Sequence, residues 1–201
     1  MIITSQKGRG RKLHILINGE YQITTDIDFW PELGVKDGSS VSDDEWLLLV
    51  EKINYRKAIN KAADFLSRRS HSVHELKVKL MRTCDEASAQ KAIDRFTELG
   101  YLDDESFAKE LAAHLFKNKN YSTNHVRNEL FKRGVDREII MAVVSETEND
   151  PVESIMTIIS KKYADRLSDD KGRQKTVAAL MRKGFLYSDI KDALYRIENE
   201  G

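Results

Sequence analysis

A spacing of fifty residues recurs along most of the chain and restricts its possible folds more than any other feature. The triplet Leu80-Met81-Arg82 returns as Leu130-Phe131-Lys132 and again as Leu180-Met181-Arg182. Other matches keep the same period: Ala58, Ala62 and Ala63 with Ala108, Ala112 and Ala113, Ser72 with Ser122, and Ala92-Ile93 with Ala142-Val143 and, one position late, Ala193-Leu194. Such a period is typical of stacked supersecondary repeats.

Helical periodicity and terminal signals predict three helices in each repeat. In the second repeat they cover about residues 105 to 118, 123 to 133 and 136 to 147. Gly134 and Gly184 follow basic helix ends, where a left-handed residue is common. Asp136 and Ser188 then stand where the third helices should have their N-caps. The predicted fold is mainly α, with about nine helices in tandem three-helix repeats that form an elongated, curved array.

The first forty residues carry a different pattern and predict a small N-terminal β-hairpin or sheet. Alternating apolar residues flank the turn signal Asn18-Gly19, namely Leu13, Ile15 and Ile17 before it and Tyr21, Ile23, Ile27 and Phe29 after it. A strict two-residue turn would pair Ile17 with Glu20 and put the two apolar sets on opposite faces. We expect a three-residue connection or a bulge instead, which would pair Ile17 with Tyr21 and Ile15 with Ile23.

Ser42 and Glu45 have the spacing of a capping box, so a long helix should begin there and run to about Ser67. Its predicted buried face carries Trp46, Leu49, Val50, Ile53, Ala58, Ala62, Phe65 and Leu66. The predicted organisation is an N-terminal hairpin region at 1–41, the start of a connecting helix at 42–57, and three-helix units at 58–104, 105–150 and 151–201.

An acidic run, Asp103, Asp104 and Glu105, separates two apolar stretches and could start a helix or form an acidic active site. An aspartate at a helix start accepts hydrogen bonds from unpaired amides and interacts well with the helix dipole. A metal or acid–base site would need further carboxylates or histidines, and those would have to come from distant parts of the chain. We therefore interpret the run as a helix cap.

Composition narrows the remaining classes of function. The chain has 33 basic and 33 acidic side chains, so no global basic field indicates a nucleic-acid binder. One cysteine, Cys84, excludes an internal disulfide, and no apolar run reaches membrane-spanning length. His71 and His74 lack a third metal ligand nearby, so no metal site is expected at these histidines. No cofactor is expected either. Aromatic residues on helical stripes are expected in the core: Tyr55, Phe65, Phe96, Phe107, Phe116, Phe131, Tyr163 and Tyr195.

Four segments together resemble the RecX family, the regulators of the RecA recombinase. They are ELGYLDDESFA at 98–108, SVHELKVKL at 72–80, ELFKRGVDREII at 129–140 and LMRKGFLYSDI at 180–190. The resemblance covers about residues 55 to 198. Two turns depart from the family pattern: Thr83-Cys84 replaces a common lysine-glycine turn, and Tyr121-Ser122 stands where glycines are common.

The resemblance implies a cytoplasmic, non-enzymatic protein that binds recombinase filaments on single-stranded DNA. It would inhibit filament extension, ATP hydrolysis and strand exchange, and an elongated shape would suit the groove of the filament. The alternative is direct binding to single- or double-stranded DNA by tandem helix-turn-helix-like units. Nothing in the sequence demands an oligomer, so we expect a monomer.

Basic residues at or near repeat-equivalent positions are the candidate contacts, because they could neutralise phosphates or acidic side chains of a periodic partner. The candidates are Arg68, Arg69, Lys77, Lys79, Arg82, Lys117, Lys119, Arg127, Lys132, Arg133, Lys171, Arg173, Lys175, Arg182 and Lys183. Among them, Arg82, Lys132 and Arg182 occupy the same place in each repeat.

Overall fold

Strands come first along the chain and helices follow. The computed structural model describes residues 1–147 and 149–200, except for the side chain of residue 200. Its three strands are β1 (Ile3–Lys7), β2 (Lys12–Ile17) and β3 (Glu20–Asp26). Within the described ranges there are nine α-helices: α1 (Asp43–Leu66), α2 (Val73–Leu80), α3 (Glu86–Glu98), α4 (Asp104–Lys119), α5 (Thr123–Lys132), α6 (Arg137–Glu146), α7 (Pro151–Lys162), α8 (Asp170–Arg182) and α9 (Tyr187–Glu200). The prediction of a mainly α fold after a small sheet is confirmed.

The chain divides into two compact bodies. The N-terminal body comprises Met1–Arg69 and Leu76–Leu99, and the C-terminal body comprises Ser70–Glu75 and the described residues from Gly100 onward. The N-terminal body therefore holds the sheet, α1 and α3, while the C-terminal body holds α4 to α9.

The N-terminal sheet is antiparallel, in the order β1-β2-β3. Its hairpin combines two features that the sequence analysis treated as alternatives. Asn18 and Gly19 have φ of 51° and 86° and form a tight two-residue turn, so Ile17 pairs with Glu20. A register shift at Ile15 and Leu16 then restores the pairing of Ile15 with Ile23.

The predicted pairing of Ile17 with Tyr21 is therefore wrong, whereas that of Ile15 with Ile23 is confirmed. Left-handed residues in a two-residue turn match the twist of the flanking strands, which favours the tight turn. The irregularity places Tyr21 opposite Leu16, and Tyr21 is exposed.

The sheet belongs to the same hydrophobic core as α1. Ile3, Ile15 and Trp30 are buried with Leu49 and Ile53 of the helix. The capping box is present, since the Ser42 hydroxyl accepts from the Glu45 N–H at 3.2 Å and the Glu45 carboxylate accepts from the Ser42 N–H at 2.7 Å. A small sheet needs an apolar face or packing against a helix to be stable, and the packing of this sheet on α1 supplies that burial.

Most helix ends in the C-terminal body lie where the sequence predicts them. Gly134 and Gly184 are left-handed, with φ of 73° and 85°, and Asp136 caps α6 by accepting from the Glu138 N–H at 2.7 Å. The predicted N-cap at Ser188 is wrong. Because the Ile190 N–H bonds the Leu186 carbonyl, the first turn of α9 begins at Leu186 and encloses Ser188, which therefore lies inside the helix.

The repeated triplet has a simple structural basis. Its leucine is fully buried in each copy, at Leu80, Leu130 and Leu180. The following residue is exposed in each copy, at Met81, Phe131 and Met181. The expectation that Phe131 and Tyr195 belong to the core is wrong, since their exposures are 71% and 67%.

A hydrogen bond between middle helices recurs in the C-terminal body. The Ser72 hydroxyl, before α2, donates to the carbonyl of Arg133 at the end of α5. The Ser122 hydroxyl, before α5, donates to the carbonyl of Lys183 at the end of α8, at 2.7 Å. The end of one middle helix is thus fixed to the start of the middle helix one repeat earlier.

Candidate partner-binding surface

The acidic run contains two aspartates that cap different helices. Asp103 is the N-cap of α4 and accepts from the backbone N–H groups of Glu105 and Ser106 at 2.9 and 3.3 Å. Asp104 instead accepts from the backbone N–H of Val73 at 2.8 Å, so it caps the first residue of α2. This confirms the structural interpretation of Asp103 and gives Asp104 a long-range role that the sequence did not reveal.

The two neighbouring carboxyls have pKa values displaced in opposite directions. Hydrogen bonds from the Ser106 hydroxyl and backbone lower the pKa of Asp103. Burial raises the pKa of Asp104, although the Val73 N–H acts in the other direction. In the described part of the chain, no group of three or more His, Cys, Asp or Glu side chains could hold a metal ion.

Several candidate cations of the N-terminal body are engaged inside it. Arg68 forms a bidentate pair with Asp64, with both contacts at 2.9 Å. Lys77 donates to the Gln90 side chain at 2.8 Å, and the Lys79 ammonium lies 5.0 Å from the centre of the Phe65 ring. Arg69 also has an interaction partner. The contacts of Arg68, Lys77 and Lys79 contribute to local structure before any partner is considered.

Three candidates of the C-terminal body also have acidic partners. Arg133 pairs with Glu75 at 3.2 Å, and both side chains are largely shielded, with exposures of 35% and 18%. Lys132 pairs with Glu129 at 2.8 Å, and Arg173 pairs with Glu198. The Arg133 pair lies beside the Ser72 hydrogen bond, so it is part of the same contact between repeats.

The remaining candidates are exposed, and none of them forms an ion pair within residues 1–147 and 149–200. They are Arg82 in the N-terminal body and Lys117, Lys119, Arg127, Lys171, Lys175, Arg182 and Lys183 in the C-terminal body. An exposed ammonium or guanidinium group without an internal partner can neutralise a bound anion at low desolvation cost.

Lys132 and Arg182 occupy equivalent local positions in the C-terminal body. Each is the last residue of its middle helix, and each follows a buried leucine and an exposed apolar residue. Arg82, in the N-terminal body, comes after the end of α2 in a turn rather than in the helix.

A cleft in the C-terminal body brings two candidates together with two lysines that the sequence analysis did not select. Lys119 and Lys183 line it with Lys161 and Lys162. The available signal was the adjacent pair Lys161-Lys162, which lies in the last turn of α7, and the helix dipole alone also favours lysines there.

The chain matches the RecX family in all three repeats. Residues 58–96, 103–144 and 148–194 match the first, second and third three-helix domains of RecX, respectively. Regulatory protein RecX of Stenotrophomonas maltophilia is 33% identical over 137 residues, which cover 67% of this chain and 83% of that protein. The chain belongs to the RecX family.

The likeness to RecX proteins extends beyond the helical repeats. Regulatory protein RecX of Caldanaerobacter subterraneus subsp. tengcongensis is 29% identical over 199 residues, covering 96% of this chain and 98% of that protein. A crystal structure of a regulatory protein RecX has a TM-score of 0.68 at 17% identity, covering 94% of this chain and 97% of that one. That structure shows the shared fold.

The family assignment confirms the resemblance inferred from the four sequence segments. RecX proteins are regulatory proteins rather than enzymes, which agrees with the structural role of the acidic run. No helix in the described ranges combines the length and hydropathy that crossing a bilayer requires.

Proposed function

We propose that this protein binds RecA recombinase filaments on single-stranded DNA and inhibits filament extension, ATP hydrolysis and strand exchange. The observation that carries the proposal is the presence of all three RecX three-helix domains, in order, in one chain. Near full-length similarity to a curated regulatory protein RecX supports the same role. We also propose that it acts in the cytoplasm as a monomer.

A filament presents the same surface at regular intervals, so a protein with regularly placed cations can contact several subunits. Lys132 and Arg182 offer such cations at equivalent positions of consecutive repeats. The Ser122 hydrogen bond to Lys183 fixes the spacing of their two helices, which reduces the entropy lost on binding. Binding through these cations would weaken as salt concentration rises.

Co-sedimentation with recombinase filaments on single-stranded DNA tests the proposal. The informative variant is Arg82→Gln/Lys132→Gln/Arg182→Gln, because glutamine removes charge without placing a new carboxylate beside Glu129. A matched control is Arg9→Gln/Lys36→Gln/Lys52→Gln, which removes the same charge from exposed positions of the N-terminal body. We expect the first variant to lose binding at least about tenfold and the control to lose less than about twofold.

Absence of wild-type protein from the filament pellet would contradict the proposed function. An equal loss of filament binding in the two variants would contradict the proposed role of the three repeat-equivalent cations. It would not contradict filament binding by the wild-type protein. A parallel sample with duplex DNA alone separates the alternative, because tandem helix-turn-helix-like units would bind duplex DNA without recombinase.

A further inference from the structure

A cleft of about 440 Å³ in the C-terminal body lies where three helices end. Lys119 is the last residue of α4, Lys161 and Lys162 lie in the last turn of α7, and Lys183 is the C-cap of α8. All four lysines are exposed, and none pairs with a carboxylate in the described ranges. The described residues that line the cleft include no aspartate or glutamate.

The local sequence builds this cleft. Asn120, the C-cap of α4, has a left-handed backbone with φ of 51°, which turns the chain from α4 into α5. The Ser122 hydroxyl then bonds the Lys183 carbonyl and draws the end of α8 to the start of α5. Ile158 and the buried Phe185 add apolar lining.

The number of lysines exceeds what the helix ends require. Each helix C-terminus carries roughly half a negative charge, so three of them amount to roughly one and a half. Four ammonium groups leave an excess of roughly two and a half positive charges in a concave site. Such a site attracts an anion, and its volume lies within the range of ligand pockets.

Two aromatic rings line the same cleft. The rings of Tyr121 and His125 have centroids 4.1 Å apart and are tilted by 51°. Lysines that follow a backbone beside aromatic rings that contact bases are the combination used to bind single-stranded nucleic acid. An acidic protein segment would use the lysines but would have no need of the rings.

We propose that this cleft binds the phosphodiester backbone of a single nucleic-acid strand, with Lys119, Lys161, Lys162 and Lys183 neutralising its phosphates. The inference goes beyond the proposed function, because it assigns a contact to the strand itself that needs no recombinase. The site also differs from the alternative of helix-turn-helix-like binding, since it lies at helix ends rather than along a middle helix.

Fluorescence anisotropy of a labelled single-stranded oligonucleotide with the full chain, over a salt series and without recombinase, tests this site. The cleft variant is Lys119→Gln/Lys161→Gln/Lys162→Gln/Lys183→Gln. The control is Lys7→Gln/Arg9→Gln/Lys36→Gln/Lys52→Gln, which removes equal charge from exposed residues of the N-terminal body. Thermal melting of both variants verifies that they are folded.

We expect the cleft variant to lose affinity at least about tenfold, and the slope of log K against log salt to become shallower by about 2 to 3, since each phosphate contact contributes about 0.7. The control should change affinity less than about twofold. Duplex DNA should bind more weakly than the single strand. Unlabelled oligonucleotide, polyglutamate and inorganic phosphate are compared as competitors at equal concentrations of negative charge. Polyglutamate and inorganic phosphate should displace the labelled strand less effectively than the unlabelled oligonucleotide does.

Four results would overturn the site: no binding by the wild type at low salt, equal losses in both variants, equal affinity for duplex, or equal displacement by polyglutamate or phosphate. Because no recombinase is present, these failures would leave the proposed function untouched. Conversely, a wild type that binds the strand but does not sediment with filaments would contradict the proposed function alone.

Discussion

The Ser122 hydroxyl donates a hydrogen bond of 2.7 Å to the Lys183 carbonyl, 61 residues further along the chain. The same hydroxyl oxygen accepts from the backbone N–H of His125 at 3.2 Å, so Ser122 also caps α5. Ser72 repeats both contacts, with Arg133 and Glu75. One buried serine therefore starts a helix and attaches it to the next repeat, which accounts for its recurrence at the fifty-residue spacing.

Replacing Ser122 with alanine should lower the free energy of unfolding of the C-terminal body by about 2 to 4 kcal/mol. Loss of an N-cap costs about 1 kcal/mol, and leaving the partly buried Lys183 carbonyl without its donor costs about 1 to 3 kcal/mol. Urea denaturation measures the change. Ser160→Ala is the matched control, because the exposed Ser160 hydroxyl bonds only the Thr157 carbonyl of its own helix. Equal effects of the two substitutions would refute the coupling of repeats by Ser122.

Gly134 should tolerate alanine much less well than Gly100. Both residues have φ of 73°, so the backbone penalty of about 1 to 2 kcal/mol is common to them. A Cβ at Gly100 meets nothing within 4 Å, whereas one at Gly134 would overlap the His74 side chain close to its backbone. The clash should add about 1 to 3 kcal/mol to the loss of stability. Thermal or urea unfolding of the two variants gives the comparison, and indistinguishable losses would contradict close packing at Gly134.

Asp103 and Asp104 should affect stability with opposite dependence on pH. The folded pKa of Asp103 lies below the ordinary 3.8, so its stabilisation is complete above about pH 4 and is lost as pH falls through the lowered pKa. The folded pKa of Asp104 lies above that value, so its ionisation opposes folding at neutral pH. That cost disappears as pH falls through the raised pKa.

Asparagine substitutions test this difference, because the amide oxygen retains an acceptor for the capping hydrogen bond. At pH 7, Asp103→Asn should be less stable than the wild type, and Asp104→Asn should be as stable or more stable. As pH is lowered, the free energy of unfolding of each variant should approach that of the wild type. Asp103→Asn approaches it from below, and Asp104→Asn approaches it from above or stays equal to it. Urea titrations at several pH values measure them, and the same sign for both variants at pH 7 would contradict the two environments.

Sequence reasoning succeeded where structure depends on neighbours along the chain. Caps at Ser42 and Asp103, and left-handed glycines after basic helix ends, follow from local hydrogen bonding and backbone sterics. Ser188 was misplaced because a serine near a helix start satisfies the same local pattern whether it precedes the helix or lies in its first turn.

The features that the sequence did not predict depend on contacts between residues that are distant along the chain. The hairpin combined a tight turn with an irregular register, so a turn signal and an alternation pattern could not by themselves give the pairing of Ile17. Internal partners of Lys77 and Arg173 come from other helices, so their sequence positions did not distinguish them from cations without internal partners. Lys161 and Lys162 come together with Lys119 only because the end of α7 and the end of α4 line the same cleft in the fold.

The central claim is regulation of recombinase filaments, and ATP hydrolysis by recombinase on single-stranded DNA tests it most directly. Wild-type protein added well below the recombinase concentration should slow hydrolysis, and the Arg82→Gln/Lys132→Gln/Arg182→Gln variant should need a higher concentration for the same inhibition. The Arg9→Gln/Lys36→Gln/Lys52→Gln control should inhibit as the wild type does. An unchanged rate of hydrolysis at equimolar wild-type protein would contradict the account.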